Sequence, residues 1–330
     1  MEHFIVVDSG TSTTRARLYT GGRVTRTETE PVGARNTATE GSNAALKAGL
    51  ATLLSRLQAS EEARGTDVEA VICSGMITSN MGLLEVPHLT APASVDALAE
   101  GVVRQDFPDV TPLPVHFVRG VKTVADRLDA CDVLRGEEVE CLGLRELLAL
   151  SGPAVFMHHG SHSKSIQTDA EGTILQSRTA ITGELLAAIV QHTILANSVV
   201  GFEALELDQA QWREGLETAR ESGVGRALFL VRVGEQIAGR TKMAMTSFLL
   251  GVLASMDLPL LDEGLQTDAT LVLYGRGVQK VALGRYLEEQ APGRVIVTDD
   301  ERAELSAVVG AVRIYERHLE LTAGRNGGTS

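Results

Sequence analysis

Gly10 and the hydroxyl residues that follow it form the stretch of this sequence with the clearest chemistry. The apolar residues 4–7 lead to Asp8, and the turn Ser9-Gly10-Thr11-Ser12-Thr13-Thr14 runs into a second strand that begins at Arg15. A glycine lets backbone N–H groups approach a ligand closely, and hydroxyls add donors, so this turn suits a phosphate group. Asp8 offers a hard oxygen ligand of the kind that Mg²⁺ prefers. An ordinary hairpin with solvated hydroxyls explains the same residues equally well.

A second copy of this pattern lies 150 residues further along the chain. The apolar run that ends in His158 and His159 is followed by Gly160-Ser161-His162-Ser163 and then by a basic residue. The buried strand predicted before Gly75 has a similar counterpart before Gly275. Repeats of this length predict two similar domains rather than a solenoid.

The elements that must hold these turns follow from the hydrophobic pattern. Strands predicted at 3–8, 15–19 and 23–29 form a meander, and leucines at helical spacing predict a helix over 43–59. The β-branched run at 70–72 predicts a buried strand. The polar segment after it contains Ser79 and Asn80. Open α/β sheets bind ligands at such strand ends, so these side chains contact a substrate hydroxyl or carboxylate, or they belong to a structural loop.

Three acids near the start of a predicted helix are candidates for a general base. Asp132 precedes the helix, whereas Glu137 and Glu138 follow Gly136 at its first turn. Acids at this position also stabilise the helix dipole without any catalytic role. We assign the base to Glu137, because the dipole keeps its carboxylate ionised and the glycine leaves room for a substrate. Arg135 would then balance charge on the substrate.

The second half of the chain is predicted to contain helices over 185–195, 208–221 and 225–256, and strands over 270–274 and 294–298. Gly275 and Gly277 allow close backbone approach to an adenine or a ribose, although a tight strand-to-helix turn needs the same glycines. We predict an N-terminal domain over 1–151 and a C-terminal domain over 152–321. The Gly-rich tail over 322–330 is predicted to be disordered.

The composition excludes several classes of protein. A length of 330 residues with 44% apolar residues supports two domains, and a net charge of −13 with 4% aromatic residues argues against a nucleic-acid partner. The odd cysteine count, Cys73, Cys131 and Cys141, predicts buried, reduced thiols in a cytoplasmic protein. No charged and apolar leader and no apolar run of about 18 residues were found, so no membrane association is expected.

A metal-dependent hydrolase that uses His158, His159 and His162 is a rival interpretation. Neighbouring residues of a strand point to opposite faces, so His158 and His159 do not easily share one ion. This spacing disfavours the hydrolase.

The order of the motifs resembles the 2-dehydro-3-deoxygalactonokinase family of the hexokinase and actin-like ATPase superfamily. The matching stretches run over nearly the whole chain: Asp8 to Thr11 with Arg15, Gly75 to Ile77 with Ser79 and Gly82, Pro87 to Ala93, Asp132 to Glu138, Gly160 to Lys164, Thr182 to Glu184, and Phe248 to Gly251. The resemblance implies an α/β fold of two RNase H-like domains with a cleft between them, the N-terminal domain holding sugar and magnesium and the C-terminal domain holding the nucleotide. It also implies a kinase that uses ATP and Mg²⁺ to phosphorylate the C6 hydroxyl of a 2-keto-3-deoxy sugar acid.

The resemblance assigns roles by position. Asp8 would hold the metal, and the residues expected to contact the nucleotide are Gly10, Thr11, Ser12, Thr13, Gly160, Ser161, His162, Lys164, Gly275 and Gly277. The residues expected to act on the sugar acid are Asp132, Glu137 and Glu138 as candidates for the base, and Arg15, Ser79, Asn80 and Arg135 as binding residues.

The sequence also departs from the family pattern around the expected sugar site. The family usually has Trp at the positions of Ser9, Leu83 and Ser165, Gly at Thr78, Arg near Asn80 and Tyr at His88. A kinase of a different small sugar or sugar acid, or a catalytically silent regulatory member, therefore stays an alternative. The sequence leaves the oligomeric state open, including a homodimer.

Overall fold

The structure, a computed structural model, describes residues 3–202, 205–275 and 277–327. Its strands are β1 (His3–Ser9), β2 (Thr14–Thr20), β3 (Arg23–Glu30), β4 (Ala70–Gly75), β5 (Leu89–Thr90), β6 (Val103–Arg104), β7 (Val115–Phe117), β8 (Val121–Thr123), β9 (Asp132–Leu134), β10 (Ala154–His159), β11 (Ser163–Thr168), β12 (Ile174–Ala180), β13 (Thr270–Gly275) and β14 (Val295–Val297). Its helices are α1 (Ala34–Glu40), α2 (Ala44–Gln58), α3 (Val95–Glu100), α4 (Glu137–Leu147), α5 (Thr182–His192), α6 (Gln209–Ser222), α7 (Val224–Gln236), α8 (Lys242–Asp257), α9 (Asp262–Leu265), α10 (Gln279–Gln290) and α11 (Asp300–Gly327).

The two larger sheets share one strand order. The first runs β3-β2-β1-β4-β7-β6 and the second runs β12-β11-β10-β13-β14. In the first sheet β1 is antiparallel to β2 and parallel to β4, and in the second sheet β10 is parallel to β13. Each sheet therefore places the turn after its first strand beside the carboxyl end of a parallel neighbour. The repeat in the sequence is thus a repeat of sheet topology.

The core of the first sheet follows from the two-residue period of its strands. Ile5 and Val7 on β1 and Leu18 on β2 share one face and are buried at 0% exposure. Leu50 and Leu53 of α2 belong to the same apolar cluster, as their helical spacing predicted. Burying this face on a helix fixes the register of β1 and β2, and with it the position of the turn between them.

The chain divides into two compact units with interleaved segments. The first contains Met1–Ser151, Thr168–Ser177 and Glu301–Ser330, and the second contains Gly152–Gln167 and Arg178–Asp300. The sequence assigned 152–321 to a second domain, whereas the segments around β12 and most of α11 group with the first unit. The local pattern of a helix does not reveal which sheet it covers. The predicted cleft stays a prediction.

Two pairs of helices cross at glycines. In the first unit, a Cβ atom on Gly143 of α4 would overlap the carbonyl oxygen of Ser306, and one on Gly310 of α11 would overlap that of Val139. In the second unit, Gly215 of α6 lies against α8 in the same way. The missing side chains let these backbones approach more closely than ordinary helix packing allows.

Some predicted elements differ from the structure. The helix expected near 94–104 ends at Glu100, and the one expected over 225–256 is interrupted between α7 and α8, where Gly239 has a φ of +64°. The tail expected to be disordered from 322 is helical as far as Gly327, and 328–330 lie outside the described residues. Cys131 is exposed, so the prediction of three buried thiols was wrong for this one.

The helix α8 is unusually apolar. The stretch Lys242–Leu260 is, within the described part of the chain, the one helix long and apolar enough to cross a membrane by length and composition, and 61% of that stretch is buried in the protein. The prediction that no such run exists was therefore wrong. Burial explains the composition, because a helix covered by neighbours on several sides needs apolar residues around most of its circumference.

A cluster of aromatic and imidazole rings packs α11 on the first sheet. The Tyr315 hydroxyl lies 3.2 Å from Nε2 of His116 on β7, and the Tyr315 ring contacts Phe4 edge-on. His116 is 7% exposed. Burial, aided by the electrostatic effects of the nearby His318 and Arg104 side chains, lowers the pKa of His116 to about 4. His116 is therefore neutral at pH 7.

This cluster predicts that acid destabilises the first unit. A histidine with a lowered pKa in the folded protein takes up its proton more readily when unfolded, so its contribution is full above about pH 6.5 and is lost as the pH falls toward 4. The loss for His116 is on the order of 3 kcal/mol. Urea unfolding of His116→Phe at pH 7 and pH 4.5 should show a smaller pH dependence than the wild type. The exposed His192→Gln serves as the control, and a His116→Phe variant with the wild-type pH dependence would contradict the assignment.

Candidate active site

The first turn is held by hydroxyls on both sides. The Gly10 N–H donates to the Thr13 carbonyl at 2.9 Å. The Ser9 and Thr14 hydroxyls lie 2.9 Å apart, and the Thr14 hydroxyl donates to the Val32 carbonyl at 2.7 Å. Both of these hydroxyl residues are buried. These two hydroxyls therefore stabilise the turn from its buried side and do not face a ligand.

The start of α1 packs against the carbonyl side of this turn. The Ala34 N–H donates to the Gly10 carbonyl at 3.3 Å, and the Arg35 N–H donates to the Thr11 carbonyl at 2.8 Å. A Cβ atom on Gly33 would lie only 2.6 Å from the Gly10 oxygen. In a trans peptide the N–H points opposite to the carbonyl, so the N–H groups that follow these two carbonyls point away from α1. The exposed side of the turn is thus the donor side.

The second turn is held in the same way, by a hydrogen bond from a helix start to one of its carbonyl groups. The Glu184 N–H of α5 donates to the Ser161 carbonyl at 2.8 Å. A Cβ atom on Gly183 would lie 2.8 Å from that oxygen and closer still to the Gly160 carbonyl. Gly33 and Gly183 are separated by the same 150 residues as the two turns. The duplication therefore includes the helix start that orients each turn.

Asp8 lies beside the first turn at the end of β1. Its carboxylate is 25% exposed and lies 3.9 Å from the Arg15 guanidinium, the residue opposite to it on β2. Gly75, at the end of β4, has a φ of +82°, and a Cβ atom there would lie 3.2 Å from Asp8 Oδ1. The glycine thus leaves room next to the carboxylate. Arg15, predicted to bind substrate, is placed to balance the charge of Asp8.

The start of α4 lies next to the same strand end. Gly136 precedes α4 with a φ of +114°, and its Cβ position lies 3.3 Å from the Gly75 Cα. The structure therefore brings the residues after Gly136 to the strand ends that carry Asp8. These two groups of predicted site residues are 129 residues apart in sequence, counted from Asp8 to Glu137.

The three candidate bases have different environments. Glu138 is 0% exposed, and both of its oxygens accept the Gly136 N–H, at 2.9 and 2.8 Å. Glu137 is half-buried, and its Oε2 accepts the Arg135 N–H at 3.1 Å. Asp132 is half-buried on β9. Full burial and bonding to the Gly136 N–H, directly before α4, give Glu138 the character of a structural cap, whereas Glu137 keeps partial access to solvent.

Arg135 points toward the loop after β4. Its Nη1 donates to the carbonyl of Thr78 and, at 2.5 Å, to the hydroxyl of the same residue. Its Nη2 lies 3.2 Å from Nδ1 of His88. Burial and the nearby guanidinium lower the pKa of His88 to about 4. A guanidinium has five donors, so these contacts leave Arg135 able to bind a further acceptor.

The predicted substrate residues in the loop after β4 separate into two kinds. The Ser79 hydroxyl donates to the Met76 carbonyl at 2.7 Å and accepts the Met81 N–H at 3.2 Å, so it stabilises the loop itself. Asn80 is exposed. The structural-loop interpretation therefore accounts for Ser79, and Asn80 is the member with access to a ligand.

The second unit contains the remaining predicted residues. His162 pairs with Glu184 at 3.4 Å beside the turn, and Lys164 is buried on β11. Gly275 and Gly277 have φ values of +95° and +88°. Residues with a side chain rarely adopt these φ values, so the backbone conformation is sufficient to explain why both positions are glycine.

A cavity of about 300 Å³ lies in this unit between the second turn and α8. It is lined by His159, Gly160, Ser163, Thr182, Gly183, Leu186, Phe202, Leu250, Leu253, Asp257, Gly277, Val278 and Gln279. Asp257 is 1% exposed, and burial raises its pKa to about 6. Burial lowers the pKa of His159 to about 3, so this ring is neutral. The walls are mostly apolar with a few convergent polar groups, as in small-molecule sites.

Sequence reasoning missed Asp257 and the buried Arg17. Asp257 ends an apolar helix. A single acid in such an apolar run indicates a buried carboxylate with specific partners, and this pattern could have identified it. Arg17 is 5% exposed on β2, and burial lowers its pKa, opposed by the charge of Asp8. Within the described residues, no group of three or more His, Cys, Asp or Glu side chains converges as a metal site. His158 is half-buried and His159 buried on β10, as the alternation of a strand predicts.

Comparisons with known proteins find related sequences along most of the chain. The 2-dehydro-3-deoxygalactonokinase of Escherichia coli strain K12 is 27% identical over 184 residues, which cover 56% of this chain and 58% of that protein. A proposed 2-dehydro-3-deoxygalactonokinase of Rhizobium meliloti is 29% identical over 314 residues, which cover 94% of this chain and 97% of that protein.

Solved structures share the fold. A crystal structure of a proposed 2-dehydro-3-deoxygalactonokinase from Sinorhizobium meliloti matches with a TM-score of 0.74 at 25% identity, covering 94% of this chain and 98% of that one. Component A of the Acidaminococcus fermentans (R)-2-hydroxyglutaryl-CoA dehydratase matches with a TM-score of 0.51 at 11% identity, covering 97% of this chain and 100% of that one. The predicted two-domain α/β class is confirmed.

The family itself is established by a match along most of the chain. The sequence profile described as 2-keto-3-deoxy-galactonokinase matches residues 8–309. The family consists of kinases, which are ATP-dependent phosphotransferases, so the predicted enzyme class is confirmed. With its duplicated turns and this match, the chain belongs to the 2-keto-3-deoxy-galactonokinase family.

Proposed function

We propose that this protein transfers the γ-phosphoryl group of ATP to the C6 hydroxyl of 2-dehydro-3-deoxy-D-galactonate, a 2-keto-3-deoxy sugar acid. The observation that carries the proposal is the pair of turns after β1 and β10, each with its carbonyl side taken up by a helix start. Their donor sides suit the phosphates of a nucleotide. Phosphoryl transfer depends mainly on positioning and charge stabilisation, which such turns supply.

The transfer needs a base for the attacking hydroxyl. The oxygen of the C6 hydroxyl forms a bond to the γ-phosphorus, the bond from that phosphorus to the oxygen of ADP breaks, and the hydroxyl proton passes to Glu137. Its half-buried position at the start of α4 supports this role. The positive end of the helix dipole favours a negative charge at this position.

The carboxylate of Asp8 fits a magnesium ion. It is partly exposed at a strand end, and Gly75 leaves space at its side that a Cβ would fill. Magnesium prefers carboxylate and water oxygens and usually keeps several of its waters. Bound there, the ion would neutralise charge on the phosphates of ATP. Asp8 would hold it, and Arg15 would limit the negative charge of the site before the ion binds.

We assign the nucleoside to the cavity of the second unit. Its apolar walls, including Leu186 and Leu253, suit the faces of a base, and Gln279 offers a polar contact. The side chain of Gln279 is oriented by the Trp212 indole N–H at 3.2 Å and the Leu250 carbonyl at 3.0 Å. A volume of about 300 Å³ is at the small end of ligand sites, which suits a nucleoside with its phosphates outside.

A different small sugar acid is the second candidate substrate, favoured by one observation. His88 stands where the family usually has Tyr, and its ring is held by Arg135 at 3.2 Å. This contact alters the surroundings of the guanidinium that we assign to the substrate carboxylate. The acid group itself is still matched by the charge of Arg135.

Turnover decides between these possibilities. ADP release should be measured with ATP, Mg²⁺ and a panel of 2-keto-3-deoxy acids, aldonates and neutral sugars. We expect the highest kcat/KM with 2-dehydro-3-deoxy-D-galactonate, and a product that mass spectrometry identifies as its 6-phosphate. A better rate with another acid would favour the second candidate. No ADP release with any acid, together with stabilisation against heat by these ligands, would indicate a silent regulatory member.

The second turn gives a sharp test of phosphate binding. Gly183→Ala places a methyl group against the carbonyl oxygens of Gly160 and Ser161, so the turn must move. Overpacking of this kind costs about 1–3 kcal/mol, and we expect the KM for ATP to rise roughly tenfold or more. Gly225→Ala is the matched control, because a Cβ there meets no atom within 4 Å. A folded Gly183→Ala enzyme with the wild-type KM for ATP would show that this turn does not contact phosphate.

A further inference from the structure

Asp257 is a buried acid that joins two segments on either side of the second turn. It ends α8 and is 1% exposed. One carboxylate oxygen accepts the hydroxyl of Ser163 at 2.8 Å, and the other accepts the hydroxyl of Thr182 at 2.5 Å. Both donors are themselves buried. A buried carboxylate is costly unless it is hydrogen-bonded, so these two contacts are what allow the acid to sit here.

The two residues that donate to Asp257 lie on either side of the second turn. Ser163 follows the turn residues 160–162 directly and begins β11. Thr182 begins α5, whose Glu184 N–H binds the Ser161 carbonyl. The carboxylate therefore ties the exit of the turn to the helix that orients it.

The first unit makes the corresponding connection without a carboxylate. There the Thr14 hydroxyl donates directly to the carbonyl of Val32, at 2.7 Å. Val32 lies 150 residues before Thr182 but two residues ahead of α1, whereas Thr182 is the first residue of α5. At the same offset Thr14 matches Lys164, the neighbour of Ser163, so the two connections join similar segments through different residues. The second unit thus uses an ionisable group from α8, a helix that also lines the cavity, where the first unit uses a direct neutral contact.

We infer that Asp257 is a positioning residue for nucleotide binding, which acts through Ser163 and Thr182 to hold the second turn and α5 in the geometry that receives phosphate. This inference rests on the proposed function. A carboxylate can accept from both hydroxyls at once. An amide has one acceptor oxygen and an N–H₂ group that only donates, so Asp257→Asn leaves one of the two hydroxyls without its acceptor.

The same geometry gives the site a dependence on pH. The pKa of Asp257 is raised to about 6 by burial, against the opposing effect of the two hydroxyls. Below that pH the carboxyl gains a proton, and one of its oxygens becomes a donor, which weakens one of the two contacts. Among the titratable residues of the elements packed here, His159 of β10 lines the same cavity as Asp257. Lys164 of β11 follows Ser163 directly, and Glu184 of α5 lies two residues after Thr182. His159, whose pKa is about 3, stays neutral across this range.

The experiment measures nucleotide binding without sugar acid. The dissociation constant of AMP-PNP with Mg²⁺ should be determined by calorimetry for the wild type and Asp257→Asn, at pH 7.5 and 5.5. We expect Asp257→Asn to weaken binding roughly tenfold at pH 7.5. We expect weaker wild-type binding at pH 5.5, and a smaller effect of pH in the variant. In turnover, the KM for ATP should rise while the KM for the sugar acid stays within about twofold.

Glu263→Gln is the matched control. Glu263 also accepts from two side chains of the second unit, Gln167 at 2.7 Å and Arg178 at 2.6 Å, but it does not line the cavity. Its replacement should leave AMP-PNP binding and its pH dependence unchanged. An equal loss of binding in this control would overturn the inference, because the effect would then be one of general stability.

The remaining outcomes are also decisive. A folded Asp257→Asn protein with wild-type affinity at both pH values overturns the inference. If that variant does not fold, Thr182→Val and Ser163→Ala test the same contacts singly, and normal AMP-PNP binding in both overturns it. A wild type that binds AMP-PNP but phosphorylates no sugar acid refutes the proposed function and leaves this inference standing. A wild type that does not bind AMP-PNP refutes both.

Discussion

Replacing Asp8 by Asn is expected to lower kcat on the order of 10³-fold, because the amide removes the negative charge that we assign to magnesium. The carboxylate is 25% exposed and its ion pair with Arg15 is long, at 3.9 Å. An exposed pair of this kind contributes little to stability. The variant should therefore unfold at nearly the wild-type temperature. Steady-state ADP release at saturating Mg²⁺, together with thermal unfolding, measures both quantities.

A control separates this effect from a general loss of charge. Asp109 in the same unit is an exposed acid that pairs with Lys47 at 2.9 Å, far along the chain from the turn. Asp109→Asn should leave kcat unchanged. If Asp8→Asn keeps near-wild-type turnover, Asp8 does not hold the metal.

Replacing Glu137 by Gln is expected to lower kcat by about 10²–10⁴-fold, the usual contribution of a general base. The affinity for AMP-PNP should be preserved, because the residues that we assign to phosphate lie in the two glycine turns and not in α4. Single-turnover phosphoryl transfer and nucleotide calorimetry on the same preparation distinguish the two effects. The loss should also be insensitive to the concentration of sugar acid.

The neighbouring acids supply the comparison. Glu138→Gln should mainly lower the thermal stability, since this residue is 0% exposed and accepts the Gly136 N–H with both oxygens. Asp132→Asn should have the smaller effect on kcat. A Glu137→Gln enzyme with normal kcat would move the assignment to whichever of these neighbours loses turnover while it stays folded.

Local patterns predicted the parts of the fold that depend on neighbouring residues. The strands β1, β2 and β3, the helix α2 and the strands β13 and β14 lie within about two residues of their predicted bounds, since each carries its own period of apolar residues. The glycine-hydroxyl turns were visible for the same reason. The duplication was visible because both copies keep the same spacing from their glycines.

The other features arise from contacts between distant segments. Gly33 is required by the carbonyl of Gly10, and nothing within either segment indicates that they meet. The assignment of α11 to the first unit depends likewise on its crossing with α4. The different environments of Glu137 and Glu138 depend on the backbone conformation at Gly136, which the sequence pattern does not predict. Site roles of individual residues therefore stay predictions, whereas the family and fold class are confirmed.

Because α4 and α11 cross at glycines, we expect substitutions at these glycines to lower activity, although they lie outside the residues that we assign to ligands. Gly143 lies six residues after Glu137, about 9 Å along the helix axis. Because each backbone lies against the other at Gly143 and Gly310, a single methyl group on either one must push the two helices apart. A shift of α4 in response would carry its first turn, with Glu137, along with it. Substitutions of Gly143 and Gly310 are therefore expected to be tolerated as poorly as substitutions of the site carboxylates, although we assign neither glycine to substrate binding.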